Sequence, residues 1–236
     1  METGALSAGA QSGTMKECLS VARPNRILVR GVNWLGDAVM TTPALLRLRE
    51  AFPAAHLTLL TPEKLAGLWP GFPLDRVVVS SPQCPSWRVA LQLRRERFDL
   101  AVVLPNSPRS ALEVWLTGAR RRVGYAGQWR RWFLTQPVPP RPGHREMRKR
   151  SAFEVRRLIA CRTEAVAGEQ AGASAGESGH HVYHYLHLVG AVGAEAKATP
   201  PRLFVGEAEV VAVAKVFGLG HDHAEGVPLL GLNPGA

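Results

Sequence analysis

Asp37 closes the loop Gly31-Val32-Asn33-Trp34-Leu35-Gly36, and a carboxylate so placed can accept a proton from an incoming hydroxyl. Behind it Ala38, Met40, Ala44, Leu45 and Leu48 recur at helical spacing, which sets Asp37 at a helix start, where the dipole keeps it ionised. Asp is also favoured at helix starts for capping alone, so the position is open to a structural reading as well. The loop glycines permit close backbone approach, and the amides that follow would favour an anionic group. Neither standard nucleotide loop fits: GxGxxG is absent, and the Gly31/Gly36 pair lacks the Lys-Ser/Thr of a phosphate-binding loop.

Other residues share this chemistry. Thr41 and Thr42 fall in the next turn, able to contact a ligand or to bond back to their own helix. Asn106 and Ser107 follow Pro105, as cleft residues or as a plain turn. Gln128-Trp129-Arg130-Arg131-Trp132-Phe133, with Arg145, Arg148 and Lys149 downstream, offers aromatic faces for ring stacking and guanidinium groups for anions. The alternative there is a solvated basic helix over packed tryptophans. His180, His184 and His187 come near one helical face, but no acidic or cysteine ligand accompanies them, so packing is preferred to metal.

Alternating elements would position these groups. Strands are expected at 26–30, 56–60, 76–79, 99–104 and 122–125, with helices at 37–48, 62–69, 85–98 and 110–117 between them. Pro43 falls in the first two turns of its helix. The pattern implies right-handed crossovers and a doubly wound α/β sheet, whose ligands bind beyond the carboxyl ends of the strands, where the Gly31–Asp37 loop lies. Residues 1–24 read as a disordered leader and 164–179 as a flexible insertion. Further on, 180–192 and 207–217 read as helices, 202–205 as extended and 227–232 as a strand.

The 236 residues suffice for one domain and a fragment of a second. An excess of 29 Lys+Arg over 19 Asp+Glu points to an anionic partner: nucleic acid, an anionic membrane surface or a phosphorylated glycolipid. Cys18, Cys84 and Cys161 lack CxxC pairing, which suggests free thiols in a reducing compartment, by default the cytoplasm. No run approaches the roughly 18 apolar residues of a spanning helix, and no secretion signal opens the chain.

The stretch Ile27 to Leu46, ILVRGVNWLGDAVMTTPALL, resembles the opening signature of glycosyltransferase family 9, and within it the lipopolysaccharide heptosyltransferase II branch. The terminal GLNPGA, Gly231 to Ala236, is similar to that family's entry into its second domain. The resemblance implies a GT-B architecture: a Rossmann-like N-terminal domain for the acceptor, here with only the first strand of the donor domain. The divisions are then 25–163 for the N-terminal acceptor-binding domain, 180–225 for its remainder and interdomain helices, and 226–236 for the start of the second domain.

It further implies inverting heptose transfer from ADP-heptose to the anionic lipopolysaccharide inner core, without metal or cofactor, at the cytoplasmic face of the inner membrane. Asp37 maps onto the family's proposed base. Asn33, Trp34, Gly36, Thr41, Thr42, Asn106, Ser107, Trp129, Arg130, Arg131, Arg145 and Lys149 are then acceptor-side candidates, and Asn233, Gly235 and Ala236 lie near the donor. A chain so divided is expected to bind donor weakly and to turn over little. Rival readings are another family 9 transferase with a different acceptor, a non-catalytic acceptor-binding remnant, and a nucleic-acid-binding module. The last is disfavoured because no recognised nucleic-acid motif is present.

Overall fold

β-Branched and leucine-rich runs build the centre of the molecule, a six-stranded parallel sheet in the order β3-β2-β1-β4-β5-β6. The computed structural model describes residues 23–127, 129–141, 156–157 and 180–218. The strands are β1 (Arg26–Arg30), β2 (His56–Pro62), β3 (Arg76–Ser80), β4 (Leu100–Val103), β5 (Arg121–Tyr125) and β6 (Gln136–Val138). The helices are α1 (Leu35–Ala51), α2 (Ser86–Leu93), α3 (Pro108–Leu116), α4 (Val182–Gly190) and α5 (Glu207–Val216). The leader to residue 22, the insertion at 164–179 and the division at 226–236 lie outside the described residues.

Strand periodicity divides the core between the two faces of the sheet. Ile27 and Val29 of β1, with Leu57, Leu59, Leu100 and Val102, pack under α1 and α4. Leu28, Leu60, Ala101 and Val103 turn the other way, under α2 and α3. All four residues of β4 are buried, as a parallel strand covered on both sides requires. The chain runs outward from β1 through β2 to β3, then crosses back to β4 on the other side of β1. The carboxyl ends of β1 and β4 therefore flank the crevice where open parallel sheets bind ligands.

Three local departures from the sequence pattern have physical causes. β6 escapes the pattern because it is three residues long and contains Pro137, which an edge strand tolerates because proline lacks the N–H donor. The helix expected over 85–98 stops at Leu93, a 3-10 turn spans Arg94–Glu96, and Arg97 adopts φ 53°. Residues 202–205 join no strand; instead Phe204 packs edge-on against Phe72 at 4.9 Å between ring centroids. Gly71 makes room for that contact, since at its φ of +77° a Cβ would lie 2.9 Å from the Phe204 Cβ.

Pro43 sits deeper than the first two turns, eight residues past the start of α1. Proline cannot donate to the carbonyl four residues earlier, that of Val39. The Thr42 hydroxyl donates to that oxygen at 2.8 Å, so the helix continues without an orphaned acceptor.

Candidate functional site at the carboxyl ends of β1 and β4

After β1 the chain bends at Gly31, whose N–H donates to the Leu60 carbonyl at 2.9 Å. A Cβ at Gly31 would lie 3.2 Å from that carbonyl oxygen, so close approach here serves β2; Gly36 has open space around it. Trp34, not Asp37, holds the N-cap of α1, and its side chain makes no capping bond. Asp37 lies in the first turn with its carboxylate 38% exposed, Oδ1 standing 3.5 Å from Nδ1 of His181, itself 40% exposed at the head of α4. The acid is thus neither sealed in the core nor serving as the N-cap.

Behind this pair runs a chain of polar contacts. Arg130 is 2% exposed; Nη1 donates to Asn106 Oδ1 at 2.9 Å and Nη2 to the Pro105 carbonyl at 2.8 Å. The guanidinium lies against Gly124, where a Cβ would come within 3.3 Å of Nη2. Burial pulls its pKa down to about 10, and no described carboxylate pairs with it. Asn106 turns its amide nitrogen to Nε2 of His184 at 3.1 Å, which casts that nitrogen as acceptor. His184 stacks on Tyr125 at 4.0 Å, and the Tyr125 hydroxyl donates to the His184 carbonyl at 2.6 Å while meeting His187 Nδ1 at 2.9 Å. Burial raises the Tyr125 pKa above the ordinary phenol value and, first among its causes, lowers that of His187.

A second buried charge steadies the loop. Arg30, at the end of β1, holds Glu113 of α3 at 2.8 Å, and Arg109 reaches the same carboxylate at 3.0 Å. Arg30 Nη1 donates to the Gly31 carbonyl and Nη2 to Asn33 Oδ1 at 3.3 Å. Asn33 is therefore tied to the framework, while Trp34 is 71% exposed beneath the ammonium of Lys64, 4.9 Å from its ring centre.

The sequence candidates separate into four groups. Asp37, Asn33, Trp34, Gly36 and Asn106 follow the carboxyl ends of β1 and β4 and are exposed or half-buried there. Thr41 and Thr42 do not: both are buried, their hydroxyls donating to the Ala38 and Val39 carbonyls, and Thr42 also accepts the Arg202 N–H. Ser107 caps α3 by accepting the Ser110 N–H at 3.1 Å. In the basic aromatic stretch Arg130 is interior, whereas Trp129, Arg131 and Trp132 are exposed. Arg145, Lys149, Asn233, Gly235 and Ala236 lie outside the described residues. Among the described residues no three His, Cys, Asp or Glu side chains are grouped to hold a metal. Sequence reasoning did not name Arg30, Glu113 or Tyr125, though a charge ending an apolar strand and an acid on the inward face of α3 were available signals.

The model of glycosyltransferase family 9 (heptosyltransferase) matches residues 86–156. Lipopolysaccharide heptosyltransferase 2 of Escherichia coli is 30% identical over 112 residues, covering 44% of this chain and 32% of that enzyme. Over these stretches the chain is similar to glycosyltransferase family 9. The Salmonella typhimurium heptosyltransferase 2 matches to the same extent, so the shared stretch is about a third of these enzymes' length. Among solved structures, E. coli ADP-heptose lps heptosyltransferase II superposes with a TM-score of 0.58 at 22% identity, over 84% of this chain and 52% of that one. A family 9 glycosyl transferase from Veillonella parvula gives 0.60 at 20% identity, over 84% and 51%. These likenesses agree with the expected similarity to family 9, carried by residues 86–156, and with the Rossmann-like sheet, and the chain spans about half the length of the solved structures.

Proposed function

We propose that this chain is the acceptor-binding part of a family 9 glycosyltransferase that places heptose on the lipopolysaccharide inner core. One observation carries the reading: Asp37 presents an accessible carboxylate at the crevice between β1 and β4, in the first turn of α1, faced by His181. As the acceptor oxygen bonds to the anomeric carbon, its proton passes to Asp37. The bond from that carbon to the diphosphate breaks with inversion, and ADP leaves carrying the electron pair. This displacement needs no metal in the acceptor half.

Asn33, Trp34 and Gly36 border the approach to Asp37, Trp34 offering a face for ring stacking. Trp129 and Arg131 extend the acceptor side with an aromatic ring and a guanidinium for acidic sugars or phosphate. Arg145 and Lys149 would add to that positive side, and Asn233, Gly235 and Ala236 would meet the donor phosphates of ADP-heptose. The setting is the cytoplasmic face of the inner membrane, with peripheral contact. Among the described residues no helix is long and apolar enough to cross a membrane.

The test exchanges Asp37 for Asn and measures acceptor binding to the chain and, with the donor-binding half of a family 9 enzyme supplied, heptosyl transfer to a defined inner-core acceptor. Transfer is expected to fall by about 10²- to 10⁴-fold, the range for loss of a general base, with acceptor affinity retained. A parent chain that neither binds acceptor nor transfers heptose overturns the reading, as does an Asp37→Asn chain of parental activity.

A further inference from the structure

Helices α2 and α3 cover one face of the sheet with Val89, Leu93, Ala111 and Val114, so their outer stripes should be polar. They are not. Trp87 and Leu91 of α2 and Leu112 and Trp115 of α3 are all exposed on the outer layer. Phe133 meets Trp115 at 6.1 Å between ring centroids, joining this layer to the turn that bears Trp132, 81% exposed. Exposed tryptophans and leucines on neighbouring elements mark a surface with a partner.

Charge identifies that partner. Between residues 86 and 135 there are ten arginines, no lysine and three acids. Each acid is committed: Glu96 to Arg76, Asp99 to the N–H groups of Asn25 and Arg26, and Glu113 to Arg30 and Arg109. Exposed Arg88, Arg95 and Arg131 therefore border the apolar stripe with little negative charge to offset them, and the Arg88 guanidinium lies 5.2 Å from the Trp87 ring centre. Amphipathic rings seek the boundary between headgroups and acyl chains, and guanidinium groups pair with anionic headgroups. Leucines on a helical outer layer have a role against lipid and none against a phosphodiester backbone.

We infer that the outer layer of α2, α3 and the Trp132 turn is a docking surface for an anionic lipid bilayer. This deepens the membrane contact proposed above by naming its face, and it stands apart from the role of Asp37.

The experiment measures partition of the 236-residue chain onto phosphatidylcholine vesicles with and without phosphatidylglycerol, by co-sedimentation and tryptophan emission. Anionic lipid should raise partition by about tenfold or more, with a blue shift and a loss of binding at high salt. A chain with Trp87, Trp115 and Trp132 changed to Ser should lose about tenfold in partition, and one with Arg88, Arg95 and Arg131 changed to Gln should lose its preference for anionic vesicles. Circular dichroism of each variant, matched to the parent, assigns the loss to the surface and not to unfolding. Parental partition by both variants, no partition by the parent, or RNA binding that the same changes abolish while vesicle binding persists would each overturn the inference. Transfer assayed with Asp37→Asn is read separately, so failure of one proposal does not disguise failure of the other.

Discussion

Asp37 and His181 face one another from the first turn of α1 and the head of α4, Oδ1 to Nδ1 at 3.5 Å, each about two-fifths exposed. Their elements belong to segments 144 positions apart in the chain, which pack together over β1. The same carboxylate charge is felt by buried Tyr185, whose hydroxyl pKa is raised first by desolvation and then by Asp37.

That facing geometry sets the first prediction. His181→Phe keeps the ring that stacks near His184 and Tyr185 but removes the nitrogen opposite Asp37. Turnover is expected to fall about tenfold with KM little changed, the scale of one lost charge-assisted contact near the reacting atoms. His181→Asn, which returns a polar nitrogen, should restore part of the loss. Steady-state kinetics with unchanged kcat for the Phe variant would remove His181 from the site.

Arg130 offers the second. Replacing it with Met takes the guanidinium donors from the Asn106 amide oxygen and the Pro105 carbonyl, the latter keeping only the Ser110 hydroxyl, at a cost of about 1–3 kcal/mol of unfolding free energy. Lysine should not rescue, because one ammonium cannot reproduce the fixed fork that reaches two acceptors. Urea unfolding of the three chains decides it, and equal midpoints for parent and Met would show that the guanidinium is not holding Asn106.

The third concerns the buried pair at the end of β1. Glu113→Gln strips the counter-charge from Arg30 and is expected to cost about 3 kcal/mol, since an unpartnered interior cation is the expensive outcome. Changing both residues, Arg30→Met with Glu113→Leu, should recover most of that loss and yet loosen Asn33, which Arg30 holds. A double variant as unstable as the single one would contradict this account.

The sheet was legible because β1 and β4 are near-continuous apolar runs, and buried parallel strands have that signature. Asp37 was legible as a carboxylate after a glycine-containing loop, but its partner was not, because nothing in local spacing tells which of four nearby histidines meets it. Thr41 and Thr42 read equally as ligand contacts or helix-bonded hydroxyls, and only three-dimensional burial separates those cases. Arg130 was grouped with Arg131 as an acceptor-side candidate because a basic aromatic run does not tell which member turns inward; the positive φ of Trp129, 65°, precedes the turn in which Arg130 lies inward, and tryptophan gives no warning of such a conformation.

Asp75 supplies a pH-dependent prediction. Desolvation raises its pKa, but the Leu57 N–H and the Arg49 hydrogen bond outweigh that and leave it below the ordinary carboxylate value. A depressed folded pKa contributes stability that is complete above the unfolded value and lost as pH falls through the folded one. Asp75→Asn should therefore lower the melting temperature at neutral pH, with the gap to the parent closing below about pH 4, where the unfolded acid titrates. Because the side chain is partly solvated the effect is modest, and a gap independent of pH would show that packing of Asp75, not its charge, matters.

The Thr42 and Pro43 pair gives a prediction that tests helix continuity directly. Thr42→Val leaves the Val39 carbonyl with neither a side-chain nor a backbone donor and removes the acceptor for the Arg202 N–H, for a loss of about 2 kcal/mol. Pro43→Ala restores the N–H that a regular helix would direct at Val39, so in that background the same Thr42→Val change should cost only about half as much. The four melting curves of this cycle give the coupling energy. If it is zero, the hydroxyl does not stand in for the amide that proline lacks, and the helix must carry its orphaned carbonyl in another way.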